Sequence, residues 1–263
     1  MRETTYFSGP RPRIFAHRGA SGVAPENTLA AFRLGIAAGA THLEMDVHAT
    51  RDGRIVVLHD PTLDRTTDLR GAVKELDWAA VKAADAGARF VDPSGAAPFS
   101  ARGVRIPLLG EVLAAFPDVP LNIEVKQAGP AIVSEVVALL DRARASSRVL
   151  LAAESQAVMN EIRQQYQGPT GFSADEVVEF YQRSLEDRMH GYRPPGAALQ
   201  VPLSHEGIEV VSRKFVDDAH RVRVEVHVWT LNDADEIRGV LQLGADGIMS
   251  DFPALAAEVI AGA

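Results

Sequence analysis

Short β-rich runs alternate with helical patterns from one end of the sequence to the other, and this rhythm restricts the fold more than any other feature. Arg13-Ile14-Phe15-Ala16-His17 reads as a first strand and residues 43–47 as a second. Further strands are expected at 121–125, 149–153, 170–173, 198–201, 224–230 and 247–250. Helical patterns lie between them, for example at 132–143 and 234–243. In residues 27–38, Pro25 and Asn27 supply start signals, Leu29, Phe32 and Ile36 form an apolar stripe, and Gly39 stops the helix. Repeated strand–helix alternation implies parallel strands. Eight of them favour a closed α/β barrel, the (β/α)8 TIM-barrel architecture, over an open sheet. The 263 residues are close to the roughly 250 typical of that fold. Length alone would also admit two smaller domains, but no linker, repeat or low-complexity tract divides the chain, so one barrel domain over residues 1–263 is the economical reading.

One run breaks the rhythm. Ile55-Val56-Val57-Leu58 follows the second strand with only Asp52-Gly53 as punctuation. A parallel crossover needs a dozen or more residues, whereas Asp-Gly is a tight hairpin signal. The run is therefore expected to be antiparallel to an extension of the second strand and to carry His59-Asp60 back to the barrel mouth. Residues 61–105 then read as an insertion with one helix near 74–86, and loop at Asp92-Pro93-Ser94-Gly95 and Ala97-Pro98.

Composition removes several classes of function. The chain has no cysteine, so disulfides, thiolate metal sites and thiol nucleophiles are excluded together. A formal net charge of −8 without basic clusters makes nucleic acid and anionic membranes poor partners. Any anionic substrate must be held by local cations. No apolar stretch is long enough for a signal peptide or a membrane span, so a cytoplasmic enzyme without membrane insertion is expected.

Glu44-Met45-Asp46 sets two carboxylates at i and i+2, on one face of a strand, while Leu43, Met45 and Val47 fill the opposite face. Glu124, within Ile123-Glu124-Val125, is a third acid in an apolar run. Carboxylates converging in a barrel mouth repel one another unless one is protonated or a cation lies between them, and oxygen donors of this kind suit Mg²⁺ or Ca²⁺. The alternative is a structural network in which Glu44 and Asp46 pair with Arg18 or Lys126. His17 ends the first strand and His59 ends the returning run. Active sites of such barrels lie at the carboxyl ends of the strands, where two imidazoles titrating near neutrality can serve as acid and base. His48 lies in register with Glu44 and Asp46, and either reaches the site or covers it; His42, His190, His205, His220 and His227 have no comparable context. Arg18 and Lys126 offer a guanidinium fork and a point charge for a phosphate, or ordinary ion pairs. Trp229, ending an apolar strand, either covers a small polyol or joins the core.

Read in order, these residues resemble the glycerophosphodiester phosphodiesterase family. The resemblance rests on Ala16-His17-Arg18-Gly19, Pro25-Glu26-Asn27-Thr28, Glu44-Met45-Asp46-Val47, Asp52-Gly53, His59-Asp60, Ile123-Glu124-Val125-Lys126, Val228-Trp229-Thr230 and Gly247-Ile248-Met249-Ser250-Asp251-Phe252-Pro253, spanning about residues 13–258. It implies a distorted barrel with a small insertion after the second strand. It implies one divalent cation, Mg²⁺ or Ca²⁺, held by Glu44, Asp46 and Glu124, and an acid–base pair in His17 and His59. Arg18 and Lys126 match phosphate-facing residues, Trp229 an aromatic beside the glycerol, and Glu26 and Asn27 a supporting loop. Many members have Ser-Phe after the fourth strand, where this chain has Ala153-Glu154; the difference bears on which alcohol is accepted.

The implied reaction is hydrolysis of a glycerophosphodiester to glycerol 3-phosphate and an alcohol. The neighbouring glycerol hydroxyl attacks phosphorus, and water then opens the cyclic phosphate. A related diesterase acting on lysophospholipids or other bulky diesters is the alternative within the enzyme class. A non-catalytic phosphodiester-binding barrel is the alternative outside it.

Overall fold

A computed structural model describes residues 4–262. In chain order the elements are β1 (Arg13–Ala16), α1 (Leu29–Ala37), β2 (His42–Ala49), β3 (Ile55–Val57), α2 (Trp78–Ala83), α3 (Leu109–Ala115), β4 (Leu121–Val125), α4 (Val133–Arg142), β5 (Val149–Ala152), α5 (Gln156–Gln165), α6 (Ala174–Leu185), β6 (Ala198–Pro202), β7 (Ser204–His205), β8 (Ile208–Glu209), α7 (Arg213–Arg221), β9 (Glu225–Trp229), α8 (Ala234–Leu243), β10 (Gly247–Ser250) and α9 (Pro253–Ala261).

Seven of these strands are parallel neighbours in the order β5-β4-β2-β1-β10-β9-β6. The two ends of that series meet through Thr170 and Gly171, which bridge Leu151 of β5 and Ala198 of β6 in parallel. The ring therefore closes as the α/β barrel expected from the sequence. The strand expected at 170–173 is reduced to these bridges because Ser173 leaves the ladder to start α6. Its hydroxyl accepts from Glu176 N at 3.3 Å, while Glu176 Oε2 accepts from Ser173 N at 2.9 Å. Such a reciprocal box satisfies two otherwise orphaned helix donors.

Two further boundaries move for local reasons. The first helix begins at Leu29, not Asn27, because Thr28 is its cap and accepts from Ala31 N at 3.2 Å. Asn27 instead has φ of 56° and turns its amide to the barrel axis. In the insertion, the single helix expected near 74–86 divides into a 3₁₀ turn at Val73–Glu75 and the short α2. Asp77, with extended backbone at ψ 155°, separates them, and Asp52 Oδ1 accepts from Trp78 N at 2.9 Å.

The antiparallel return of the hairpin is present: β2 pairs with β3 through Val47↔Val57, His48↔Val56 and Ala49↔Ile55. Gly53, at φ +76°, makes the turn. Strand alternation then splits β3 between two cores. Ile55 and Val57 join the main apolar layer under the helices, whereas Val56 and Leu58 pack with Leu63, Val73, Val81, Ala84, Ala86 and Ile106 of the insertion. No helix among the described residues is long and apolar enough to cross a membrane.

The same alternation fills the barrel interior from the bottom. Arg13, its side chain 2% exposed, sits at the floor, where Nε and Nη2 donate to Glu225 Oε2 and Oε1 at 2.8 and 2.9 Å. Above it Phe15 lies between His42 and His227, with ring centroids 4.6 Å from each. Burial alone would raise the Glu225 carboxyl, but hydrogen bonds from Arg13 and His227 overcome it and hold the group at about 2. A carboxyl depressed in the folded state contributes stability above its unfolded value, and this is lost as pH falls through the folded one. Glu225→Gln is expected to cost ~3–5 kcal/mol at pH 7, since it leaves the Arg13 charge buried without its partner. The deficit should narrow between pH 4.5 and about 2. Urea unfolding at pH 7 and pH 3 measures it, and an equal deficit at both would show that the pair is not what the substitution removes.

Candidate active site

On β1, β2 and β4, inward residues low in the barrel are followed two or four positions later by chemically active ones at the mouth. On β2 the inward series is His42, Glu44, Asp46, His48; on β4 and just beyond it, Asn122, Glu124, Lys126. Asp46 and Glu124 are direct partners in the β2–β4 register. Glu44, Asp46 and Glu124 each present an oxygen within 4.8 Å of the others. Burial, and then the charge of Asp46, push the Glu44 carboxyl up to about 8. Burial also raises Glu124, although Lys126 opposes the shift.

Cations and amides surround the triad. Arg18 N donates to Glu44 Oε2 at 2.8 Å and Asn27 Nδ2 to Asp46 Oδ2 at 2.9 Å. Lys126 Nζ lies 2.9 Å from Glu124 and 3.5 Å from Asp46, and Arg18 Nε lies 3.4 Å from Asp46. The acids therefore converge, and Asp46 and Glu124 also pair with Arg18 and Lys126. Arg18 Nε is nevertheless a buried donor with no hydrogen-bond acceptor. Three mutually repelling hard-oxygen donors within 4.8 Å of one another form a donor set that fits a divalent ion.

Gly19 explains how Arg18 reaches this position. A Cβ there would lie 2.6 Å from Ala31, so only glycine lets the loop after β1 fold this closely onto α1.

His17 and His59 both stand at this mouth, and each is held in the same way. His17 Nδ1 donates to Asp251 Oδ1 at 2.8 Å, and that carboxylate is fixed by Ser21 Oγ at 2.6 Å and Asn232 Nδ2 at 2.7 Å. His59 Nδ1 donates to Asp60 Oδ1 at 2.8 Å. Neither imidazole uses Nε2 in a hydrogen bond with any described residue. Burial pulls His17 down, but the Asp251 hydrogen bond and the Glu44 charge outweigh it and carry the imidazole above its ordinary value. Burial likewise raises Asp251, yet the bonds from His17 and Ser21 hold it at about 2.

The remaining residues divide. His48, inward on β2, donates from Nε2 to the His59 carbonyl at 3.0 Å. Trp229, 41% exposed at the end of β9, lies at the mouth and not in the core. Glu154 is exposed beyond β5. Sequence reading passed over Asp251, whose signal was its strand parity with Gly247 and Met249, and Arg65, which binds both Asp60 and Glu26.

The sequence profile described as the glycerophosphoryl diester phosphodiesterase family matches residues 17–255. The chain belongs to this family. A glycerophosphodiester phosphodiesterase of Bacillus altitudinis is 31% identical over 94% of this chain and 97% of its own. A Mycobacterium tuberculosis glycerophosphoryl diester phosphodiesterase domain superposes with a TM-score of 0.85 at 23% identity, covering 95% of this chain and 99% of that one. An Oleispira antarctica phosphodiesterase, solved with the product sn-glycerol-3-phosphate, gives a TM-score of 0.78 at 25% identity, over 95% and 97% of the two chains.

For a member of this family, the Asp251–His17 contact has a measurable consequence. Asp251→Asn removes a group that raises the imidazole, so the titration of His17, and with it any limb of the pH–rate profile that His17 sets, moves to lower pH. Phosphodiester turnover is expected to fall by about 10²-fold, with the unfolding midpoint little changed. An unmoved limb in the variant would detach Asp251 from the titration of His17.

Proposed function

We propose that the protein hydrolyses glycerophosphodiesters to glycerol 3-phosphate and an alcohol, with His17 and His59 as its acid–base pair. One observation carries the reading: two imidazoles, each oriented by a carboxylate on Nδ1 and each with Nε2 without a hydrogen-bond partner among the described residues, stand at the same barrel mouth as a triad of carboxylates. Family membership and the product complex of the Oleispira antarctica relative support the substrate class. The chain acts as one barrel unit in this reading.

Glu44, Asp46 and Glu124 would hold a divalent cation, Mg²⁺ or Ca²⁺. When bound, it supplies positive charge at the phosphoryl oxygens and neutralises the three acids. Arg18 contributes the Nε donor that lacks an acceptor, directed to a phosphoryl oxygen. Lys126 adds a point charge beside it. The Trp229 ring covers the carbon edge of the glycerol. One imidazole takes the proton of the neighbouring glycerol hydroxyl at Nε2 as that oxygen attacks phosphorus. The other gives its Nε2 proton to the departing alcohol. The roles then exchange: the second imidazole, now neutral, takes a proton from water, and the first returns one to the glycerol oxygen as the cyclic phosphate opens. Asp251 and Asp60 keep Nδ1 protonated through both steps and so leave Nε2 to do the transfers.

Release of glycerol 3-phosphate from glycerophosphocholine is the decisive measurement, with EDTA and then with Mg²⁺ or Ca²⁺ restored. Turnover is expected to vanish with EDTA and return with the cation; turnover that ignores EDTA would remove the cation from the scheme. His17→Ala and His59→Ala should each lower kcat by about 10²–10⁴-fold, and near-wild-type rates in both would end the acid–base assignment. A lysophosphatidylcholine turned over far faster than glycerophosphocholine would move the substrate to the bulky-diester class.

A further inference from the structure

We propose that Arg65, carried by the insertion, is a positioning residue that fixes His59 and Arg18 in one arrangement. The inference rests on the roles given to those two residues above. Its guanidinium uses both edges. Nε and Nη2 donate to Asp60 Oδ2 and Oδ1 at 2.7 and 3.0 Å, while Nη1 and Nη2 donate to Glu26 Oε2 and Oε1 at 2.7 and 2.8 Å. Asp60 Oδ1 is the same oxygen that accepts from His59 Nδ1. Glu26 Oε1 is the same oxygen that accepts from Arg18 Nη1, at 3.1 Å. A continuous chain therefore runs from the acid–base imidazole, through the insertion, to the guanidinium that faces phosphate and approaches Asp46.

Three features separate Arg65 from an ordinary surface arginine. Its backbone is fixed on both sides: Leu63 and Thr67 are fully buried, Leu63 N donates to Gly71 O at 3.0 Å, and Thr67 N donates to Leu63 O at 3.1 Å. Two bidentate carboxylates fill a planar fork that a lysine cannot reproduce. The third feature is position. His59 follows the short β3 and the bond of Leu58 N to Asp46 O at 3.0 Å, and the Arg65 bridge relates its side chain to the loop after β1. The Arg65 side chain is 48% exposed, and ion pairs this accessible contribute little to stability. Its effect is expected in geometry, where a misplacement of about 1 Å costs on the order of 10²-fold in rate.

The test combines steady-state kinetics on glycerophosphocholine at saturating cation with ¹⁵N NMR of the His59 ring. Arg65→Ala is expected to lower kcat by about 10- to 100-fold and raise KM several-fold, at an unfolding midpoint close to wild type. Arg65→Lys keeps the charge and should recover only a small part; full recovery would overturn the requirement for the fork. In a His59→Ala background, Arg65→Ala should lower kcat by clearly less than in wild type, the remainder passing through Glu26 and Arg18, whereas an undiminished second loss would show that Arg65 does not act through His59. The ring ¹⁵N shifts should report an Nδ1-protonated tautomer in wild type and a mixture of tautomers in Arg65→Ala. Identical ring signals in the two proteins would overturn the proposal whether or not turnover is observed. A wild-type protein inactive with every cation overturns the proposed reaction, and the NMR comparison still decides the role of Arg65.

Discussion

Asp46 faces Glu124 across adjacent parallel strands and Glu44 lies one pleat below, so negative charge is concentrated where little water can reach it. Repulsion of this kind has few physical remedies: proton uptake, which the elevated Glu44 carboxyl represents, or positive charge brought close. The surroundings supply the second remedy several times over. The Arg18 amide, the Asn27 side chain, the Arg18 guanidinium and the Lys126 ammonium all turn toward the acids. The left-handed backbone at Arg18 and Asn27, at φ 56° for both, is part of the same accommodation, since it aims groups of a surface loop into the barrel. Such an arrangement is a poor stabilising device, because desolvation offsets most of the attraction. In the function proposed above, it is a receptacle for a cation and an anionic ester.

Much of this was legible locally, because strand alternation needs no knowledge of the rest of the chain. Glu44 and Asp46 share a face by spacing alone, and His17 had to stand at a carboxyl end once Arg13 to Ala16 formed a strand. The hairpin was legible for a similar reason: Asp52-Gly53 leaves no room for a crossover, and β3 runs antiparallel as that spacing requires. The closed barrel followed from counting alternations, even though its eighth member is only a pair of bridges at Thr170 and Gly171.

What stayed hidden was tertiary. Asp251 serves His17 from 234 positions away in sequence, through the β1–β10 pairing that closing the ring creates, and nothing beside either residue announces the contact. Arg65 gains its meaning only when Asp60 and Glu26, from different loops, arrive on its two edges. Asn27 was misread as a helix start because an Asn before an apolar stripe is a common cap. Thr28 took that task, which released Asn27 to serve Asp46. Ser173 shows the reverse failure, a local capping box that was present in sequence but hidden under a β-rich run.

The division of β3 between two cores carries a consequence for how this protein can change. Ile55 and Val57 answer to the barrel, Val56 and Leu58 to the insertion, and His59 stands directly after them. Gaining or losing one residue between the Asp52-Gly53 turn and His59 would exchange the two faces and turn the imidazole away from the mouth. The exposed stretch around residues 92–103 carries no such pairing with the barrel. A change of length in that outer stretch leaves the hairpin untouched, so the hairpin acts as a ruler for the barrel mouth.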